Sequence, residues 1–322
     1  MRILIMGGTR FVGLHFARAA LAAGHDVTVL HRGRSGADLL PDATHLIADR
    51  DADLSVLRDR SWDATVDVCA YFPRQVRELA AALDPGAAGR YLLVSSMSVY
   101  DTPAGPAFTE DSPLLPADGP EPDAVTPATY GLLKVQCERA AREAFGPGTL
   151  LVRPTYVIGP HDYTHRFDHW VQRLARGGEV LAPGRPGAPV QVVDARDLAA
   201  WMLGLLEQGA SGAYHAATPP PFTMRDLLDA VASAVAPAGT TLTWVDDDFL
   251  RAAGVPERAL PLWSADPRTL ATSTGDPAAA VATGLTLRPV ADTARDIEPF
   301  EPLPQALTPE REAELLTAWH RR

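Results

Sequence analysis

The sequence predicts an α/β fold, a doubly wound and mainly parallel sheet carrying a smaller C-terminal α/β part. Three observations predict it. Short apolar runs of strand type alternate with helical stretches from the first residues onward. The first strand enters the turn Gly7-Gly8-Thr9-Arg10-Phe11-Val12-Gly13, which runs straight into a helix. The length, 322 residues, allows one large α/β domain and a smaller one.

Arg2 to Met6 (RILIM) is the first strand, and the helical pattern begins near Leu14. A buried strand, a glycine turn and a helix start make an anion site, because the first helical turn has unpaired N–H groups and the positive end of the dipole. Gly7 lets the chain turn tightly and Gly13 lets the helix pack close. A dinucleotide pyrophosphate is the expected occupant, held along Gly7, Thr9, Arg10, Phe11, Val12 and Gly13. The commonest pattern has glycine where this chain has Arg10; its guanidinium can face phosphate, lie over the adenine or point to solvent.

Val27 to His31 is the second strand, and the residue at its end chooses the cofactor. An acid there bonds the ribose hydroxyl of NAD. Here the strand ends His31-Arg32-Gly33-Arg34, which favours the 2′-phosphate of NADP(H), with NAD(H) as the alternative. His45 to Ala48 is the third strand, followed by Asp49-Arg50. Asp49 can accept the adenine amino group or cap a helix near residues 53–58. Ala64 to Val68 is the fourth strand; it leads into Cys69-Ala70-Tyr71, expected beside the cofactor ribose and the substrate. A helix starts at Pro73 and stops at Pro85-Gly86.

Arg90 to Ser95 is the fifth strand and enters Ser96-Met97-Ser98-Val99-Tyr100. Residues 101–128, rich in Pro, Asp, Gly and Ala, read as a long surface excursion. A helix from about Ala128 carries Tyr130-Gly131-Leu132-Leu133-Lys134, and Thr149 to Arg153 is the sixth strand.

Tyr130 and Lys134 are four apart and share a helix face. A phenol ordinarily titrates at about 10, and an ammonium one turn away favours the phenolate. Such a phenol can exchange a proton with a substrate hydroxyl or carbonyl while hydride passes to or from a nicotinamide. Ser96, at the carboxyl end of the fifth strand, can donate to the same substrate oxygen. The placement of this pair after the glycine turn and before Arg153-Pro154 gives the motif its weight.

These pieces, with Val157-Ile158-Gly159-Pro160 and Gln191 to Ala199, resemble the extended short-chain dehydrogenase/reductase superfamily of the epimerase/dehydratase type. Arg10 and the missing acid are similar to its atypical, reductase-like members. The resemblance covers most of residues 1–235. It implies a Rossmann-type domain over residues 1–158, to which 188–217 return, and a substrate-binding cap from 159–187 and 218–322. It implies Tyr130 as acid–base, Lys134 as its partner, Ser96 as donor, and a homodimer through the helix carrying Tyr130. The dehydratases of the superfamily place Asp-Glu directly after the Ser; here Met97-Ser98 cannot eliminate water.

The leading expectation is an NADP(H)-dependent oxidoreductase acting on a carbonyl or hydroxyl of a small polar substrate, a nucleotide-sugar among the options. An NAD-dependent nucleotide-sugar epimerase working by transient oxidation is the alternative. A non-catalytic relative that binds cofactor or RNA is the third.

The net charge of −11, from 29 basic and 40 acidic residues, argues against a broad nucleic-acid face. Two cysteines make no disulfide framework and fit a reducing cytoplasm. No apolar run spans a bilayer and no signal-peptide segment is expected.

Further on, His161, His165 and His169 recur every four residues, but nothing else joins them at ligand spacing, so no metal site is expected. His161 and Arg166 are candidate contacts for an anionic or hydroxylated substrate, together with Tyr71 and, for the cofactor, Pro154. Gly177 to Pro189 reads as a loop, Val190 to Val193 as a strand, Leu198 to Leu206 as an amphipathic helix, and Ala213 to His215 as a short strand. Thr223 is expected to cap a helix to Val235. Thr241 to Val245 is a strand, Asp246 to Asp248 an acidic helix start, and Trp263 a core residue. Thr308 caps a last helix to Trp319.

Overall fold

The structure, a computed structural model, describes residues 1–84, 86–101, 108–300 and 305–322. Eleven strands occur among them: β1 (Arg2–Met6), β2 (Asp26–His31), β3 (Thr44–Ile47), β4 (Ala64–Asp67), β5 (Arg90–Val94), β6 (Leu150–Pro154), β7 (Tyr156–Ile158), β8 (Glu179–Pro183), β9 (Val192–Asp194), β10 (Gly212–Ala216) and β11 (Thr241–Val245). Seven form one parallel sheet in the order β10-β6-β5-β4-β1-β2-β3. The order reverses beside β1, and a crevice opens there at the carboxyl ends of the strands.

The inner strands read as apolar runs because both faces are covered; the edge strand β3 is largely exposed. Ile3 and Ile5 of β1 point into one core with Val27, Val29 and Val66. Leu4 and Met6, the alternate residues, point into the other with Leu30, Tyr91 and Leu93. Helices α1 (Phe11–Ala22), α2 (Pro73–Ala82), α3 (Tyr130–Phe145), α4 (Arg166–Ala175) and α5 (Ala195–Gln208) follow in the chain. The first core is closed by α1 and α5, the second by α2 and α3.

Five of the remaining helices are short or lie in the cap: α6 (Met224–Val235), α7 (Asp247–Ala252), α8 (Pro267–Ala271), α9 (Ala278–Ala282) and α10 (Val290–Arg295); α11 (Pro309–His320) ends the chain. A separate core holds the cap together. Phe167, Trp170, Val171 and Leu174 form the stripe of an amphipathic helix on α4 and meet Leu227, Leu228 and Val231 of α6. Trp170 is fully buried, which is worth about 2–3 kcal/mol relative to exposure. Beneath them β8 pairs with β11. Thr223 caps α6 by accepting from Asp226 N–H, as its position before the apolar period predicts.

Several expectations are corrected. The stretch from Gly177 to Pro189 is not all loop; Glu179–Pro183 is β8, a short buried strand whose apolar run the flanking glycines and prolines conceal. The helix expected near residues 53–58 is a single 3₁₀ turn at Ser55–Leu57. Within residues 218–322, Ala280 and Leu285 pack into the α1–α5 core. Residues 102–107 of the expected excursion, and Pro85 at the expected helix stop, lie outside the described residues. No helix among the described residues is long and apolar enough to cross a membrane.

Candidate active site and cofactor cradle

The glycine turn closes only because side chains are missing. A Cβ on Gly7, where φ is +86°, would stand 2.6 Å from Cys69 Sγ. One on Gly13 would stand 2.5 Å from the Gly7 carbonyl oxygen. Arg10 occupies the N-cap of α1 in extended backbone, so the position tolerates a side chain, and no side chain caps the first turn. Phe11 takes up the bend instead, with φ of +39°. Those uncapped amides at the carboxyl edge of β1 fit a pyrophosphate.

Of the three orientations open to Arg10, the structure shows a fourth partner: its guanidinium stacks 4.1 Å over the Tyr163 ring. Tyr163 belongs to the turn before α4 and also meets Phe11 edge to face. Val12 lies half-buried in the same first turn, and Thr9 is buried.

At the end of β2, Arg32 and Arg34 are exposed. His31 is not among them. It is buried, with both ring nitrogens occupied by Gly33 N–H and His45. Asp49 accepts from Asp51 N–H and caps its own turn. Arg50 is corrected outright. Its guanidinium is buried and paired to Asp67 at 2.7 and 2.9 Å, with the Gln75 carbonyl at 3.3 Å, so it is spent inside the protein. Burial would raise the Asp67 carboxyl, but the Arg50 charge and its hydrogen bonds hold it below the usual range.

Cys69 and Ala70 lie after β4 as the sequence predicts. Cys69 Sγ donates to the Met6 carbonyl, and burial pushes the thiol up. The Ala70 carbonyl accepts from Lys134 Nζ at 2.8 Å, and the Val94 carbonyl accepts at 2.9 Å. Lys134 is buried, its ammonium 5.9 Å from the centre of the Tyr130 ring and 5.1 Å from that of Tyr71. Tyr71 keeps its proton, above all through burial.

A cleft of about 460 Å³ brings Ser96, Tyr130, Pro154 and Arg166 together. Gly131 is what allows it, since a Cβ there would stand 2.2 Å from the Ser98 carbonyl oxygen. The start of α3 thereby presses onto the turn after β5 and sets Tyr130 beside Ser96. Ser96 Oγ accepts from Ser98 N–H and donates to Ser98 Oγ, both at 3.1 Å.

His161 is not in this cleft. It packs against α1, 3.3 Å from Arg18 and with its ring tilted at 45° to that of His15. His161 and His165 precede α4, and only His169 lies on it, so the three do not share a helix face. Among the described residues no group of three His, Cys, Asp or Glu could hold a metal ion.

Sequence reasoning missed the far wall, where Arg268, Thr269 and Thr272 enter from α8, and also Tyr156 and Ser98. The wall comes from the stretch without a clear period, and nothing in its residues marks it. Behind the cleft Arg153 binds Glu138 through two bonds of 2.9 and 2.7 Å and donates to Tyr100 Oη, which in turn contacts His215 Nε2.

A glycine cradle at the carboxyl edge of a doubly wound sheet, with a Tyr and a Ser in one cleft and a buried Lys one helical turn from the Tyr, defines the short-chain dehydrogenase/reductase class. The chain belongs to the NAD dependent epimerase/dehydratase family, whose model matches residues 3–217. It is 30% identical over 221 residues to the chloroplast stem-loop binding protein of 41 kDa b of Arabidopsis thaliana, covering 64% of this chain and 55% of that one. It is 32% identical over 204 residues to 2'-dehydrokanamycin reductase of Streptomyces kanamyceticus, covering 60% and 52%. The chain thus spans about half the length of the curated relatives it matches. The fold is shared with WbmH of Bordetella bronchiseptica, solved with NAD+, at a TM-score of 0.68, 19% identity and coverage of 92% and 96%. It is also shared with a human epimerase family protein solved with NADPH, at 0.64, 20%, and coverage of 92% and 98%.

Proposed function

We propose that this protein is an NADP(H)-dependent oxidoreductase that interconverts a carbonyl and a hydroxyl on a small polar substrate. The observation that carries the reading is the Lys134 ammonium beside the Tyr130 ring, in a cleft that also holds Ser96. The family match and the likeness to a reductase support it.

The chain's residues divide the work. The amides of the glycine turn hold pyrophosphate, and Arg32 and Arg34 hold the 2′-phosphate. When bound, the nicotinamide supplies or accepts the hydride. Tyr130 hands its proton to the substrate oxygen in reduction and takes it back in oxidation. Lys134 gives two of its three N–H groups to Ala70 and Val94, and the third is left for the nicotinamide ribose. Ser96, passing its bond through Ser98, orients the substrate oxygen. Arg166 and Arg268 on the cleft wall suit an anionic or hydroxylated substrate.

The test is NADPH consumption against a panel of ketones, keto-sugars and nucleotide-linked keto-sugars, with Tyr130→Phe as control. Turnover lost in the variant supports the reading. Interconversion of a nucleotide-sugar and its epimer without net NADPH consumption would overturn it for the epimerase reading, which needs the same three residues. The printed name of the chloroplast relative raises a stem-loop ligand as a third reading; the charge of −11 weighs against it. The unpaired Cys69 and Cys137 suit a cytoplasmic setting. A homodimer through α3 is tested by light scattering, and a monomer at micromolar concentration would contradict it.

A further inference from the structure

The loop that follows β2 hangs on a relay of three hydrogen bonds through two histidines. Gly33 N–H lies 3.0 Å from His31 Nδ1, His31 Nε2 lies 2.9 Å from His45 Nδ1, and His45 Nε2 lies 3.0 Å from the Leu40 carbonyl oxygen. The two ends fix every proton between them. An N–H only donates, so His31 Nδ1 carries a lone pair. A carbonyl only accepts, so His45 Nε2 carries a hydrogen. With both rings neutral, His31 Nε2–H donates to His45 Nδ1 and all three bonds run in one direction.

The relay has no place for an added proton. On His31 Nδ1 it would face Gly33 N–H. On His45 Nδ1 it would face His31 N–H. Burial, and then the neighbouring His45, hold His31 below the usual imidazole range. His45 is the titratable group that faces it. The neighbouring strands meet this end of β2 with the uncharged Met6 of β1 and Ile47 of β3. The exposed Arg32, Arg34 and Asp38 border the loop.

The loop also rests on the cofactor cradle. A Cβ on Gly36, where φ is +66°, would stand 2.2 Å from the Thr9 carbonyl oxygen. The relay therefore anchors one end of a segment whose other end presses on the glycine turn. Arg32 and Arg34 ride on it, and both are exposed.

We propose that the neutral His31–His45 pair positions residues 32–36 to grip the 2′-phosphate of the dinucleotide, so that the pair sets cofactor specificity and releases that grip when protonated. The inference rests on the NADP(H) reading above. The two histidines are positioning residues; the phosphate meets the arginines.

The experiment is a binding titration of the intact protein with NADPH and with NADH between about pH 8 and about pH 5.5, which spans the imidazole range. It is run on the wild type, on the double variant His31→Gln/His45→Gln and on His45→Phe. Glutamine accepts and donates at the same places and does not titrate; phenylalanine breaks the relay. The wild type should lose about tenfold or more of its NADPH affinity in acid while NADH affinity moves little. The double glutamine variant, with no imidazole left in the relay, should keep NADPH affinity at pH 8 and lose less of it in acid than the wild type does; the loss that remains belongs to the phosphate's own titration. His45→Phe should bind NADPH weakly throughout. Nitrogen NMR of the imidazoles should find both rings neutral with the proton on Nε2 at pH 8.

Selective NADPH binding with the same acid loss in the double glutamine variant as in the wild type would overturn this inference alone. So would a charged ring, or a proton on Nδ1, at pH 8. Equal affinity for NADPH and NADH at pH 8 would overturn the cofactor reading and this inference with it.

Discussion

The Lys134 ammonium lies 5.9 Å from the centre of the Tyr130 ring and is held there by the carbonyl oxygens of Ala70 and Val94. The chain ends of β4 and β5 thus fix where the ammonium lies beside a ring of α3. Its location does not depend on a flexible stem, because the ammonium is buried and tied at two points.

Tyr130→Phe removes the proton donor and leaves the ring packing. Turnover should fall by about 10²–10⁴-fold while NADPH affinity stays within about twofold. Lys134→Met should lower turnover and weaken NADPH together, since on the proposed reading the third N–H of the ammonium would meet the ribose. Steady-state kinetics with parallel cofactor titrations checks both.

Gly131→Ala puts a methyl 2.2 Å from the Ser98 carbonyl oxygen. Backbone must move, so α3 should lift from the turn carrying Ser96 and Ser98. Activity should fall by about tenfold or more and stability by about 1–3 kcal/mol. Urea unfolding and kcat on the same preparation distinguish this from global unfolding.

Glu138→Gln leaves the buried Arg153 guanidinium without its carboxylate. The cost should be about 3–5 kcal/mol, read by urea unfolding. Because Arg153 also holds Tyr100 on the cleft wall, substrate KM should rise in whatever fraction stays folded.

His169 is pushed down to about 4, by burial first and then by Arg176 and Arg173. It stays neutral in the fold while the unfolded chain takes up a proton below the ordinary histidine value of about 6.5. Its stabilising contribution is therefore complete above about 6.5 and is lost as pH falls toward about 4, by up to about 3 kcal/mol. His169→Leu should flatten that acid limb in unfolding curves recorded across the window.

Much of this was legible in the chain, for identifiable reasons. The inner strands of the large sheet are buried on both faces, and runs such as RILIM announce that without help from distant residues. Gly7, Gly13, Tyr130, Lys134 and Ser96 could be placed because each sits at a strand end or a helix start, where local pattern fixes position. Arg50 and His161 could not. Each is a polar residue in the expected place whose partner, Asp67 or Arg18, is set by tertiary packing. The far wall of the cleft escaped for the same reason. Arg268 and Thr272 come from a short helix in a stretch whose apolar spacing has no period, and only the fold brings them to Tyr130. Gly131 was visible as a residue, but its close approach to Ser98 is a fact of packing.

Arg32→Ala should weaken NADPH by about tenfold or more, the worth of one charge-assisted hydrogen bond, and leave NADH nearly unchanged. Equal losses for both would mean that Arg32 does not read the 2′-phosphate.

The measurement that bears most directly on the account is a titration of the purified protein with NADPH and, separately, NADH, followed by nicotinamide fluorescence. The account predicts NADPH binding at least about tenfold tighter than NADH, with both cofactors released on dilution. NADH bound as tightly as NADPH, or NAD retained through purification, would contradict it.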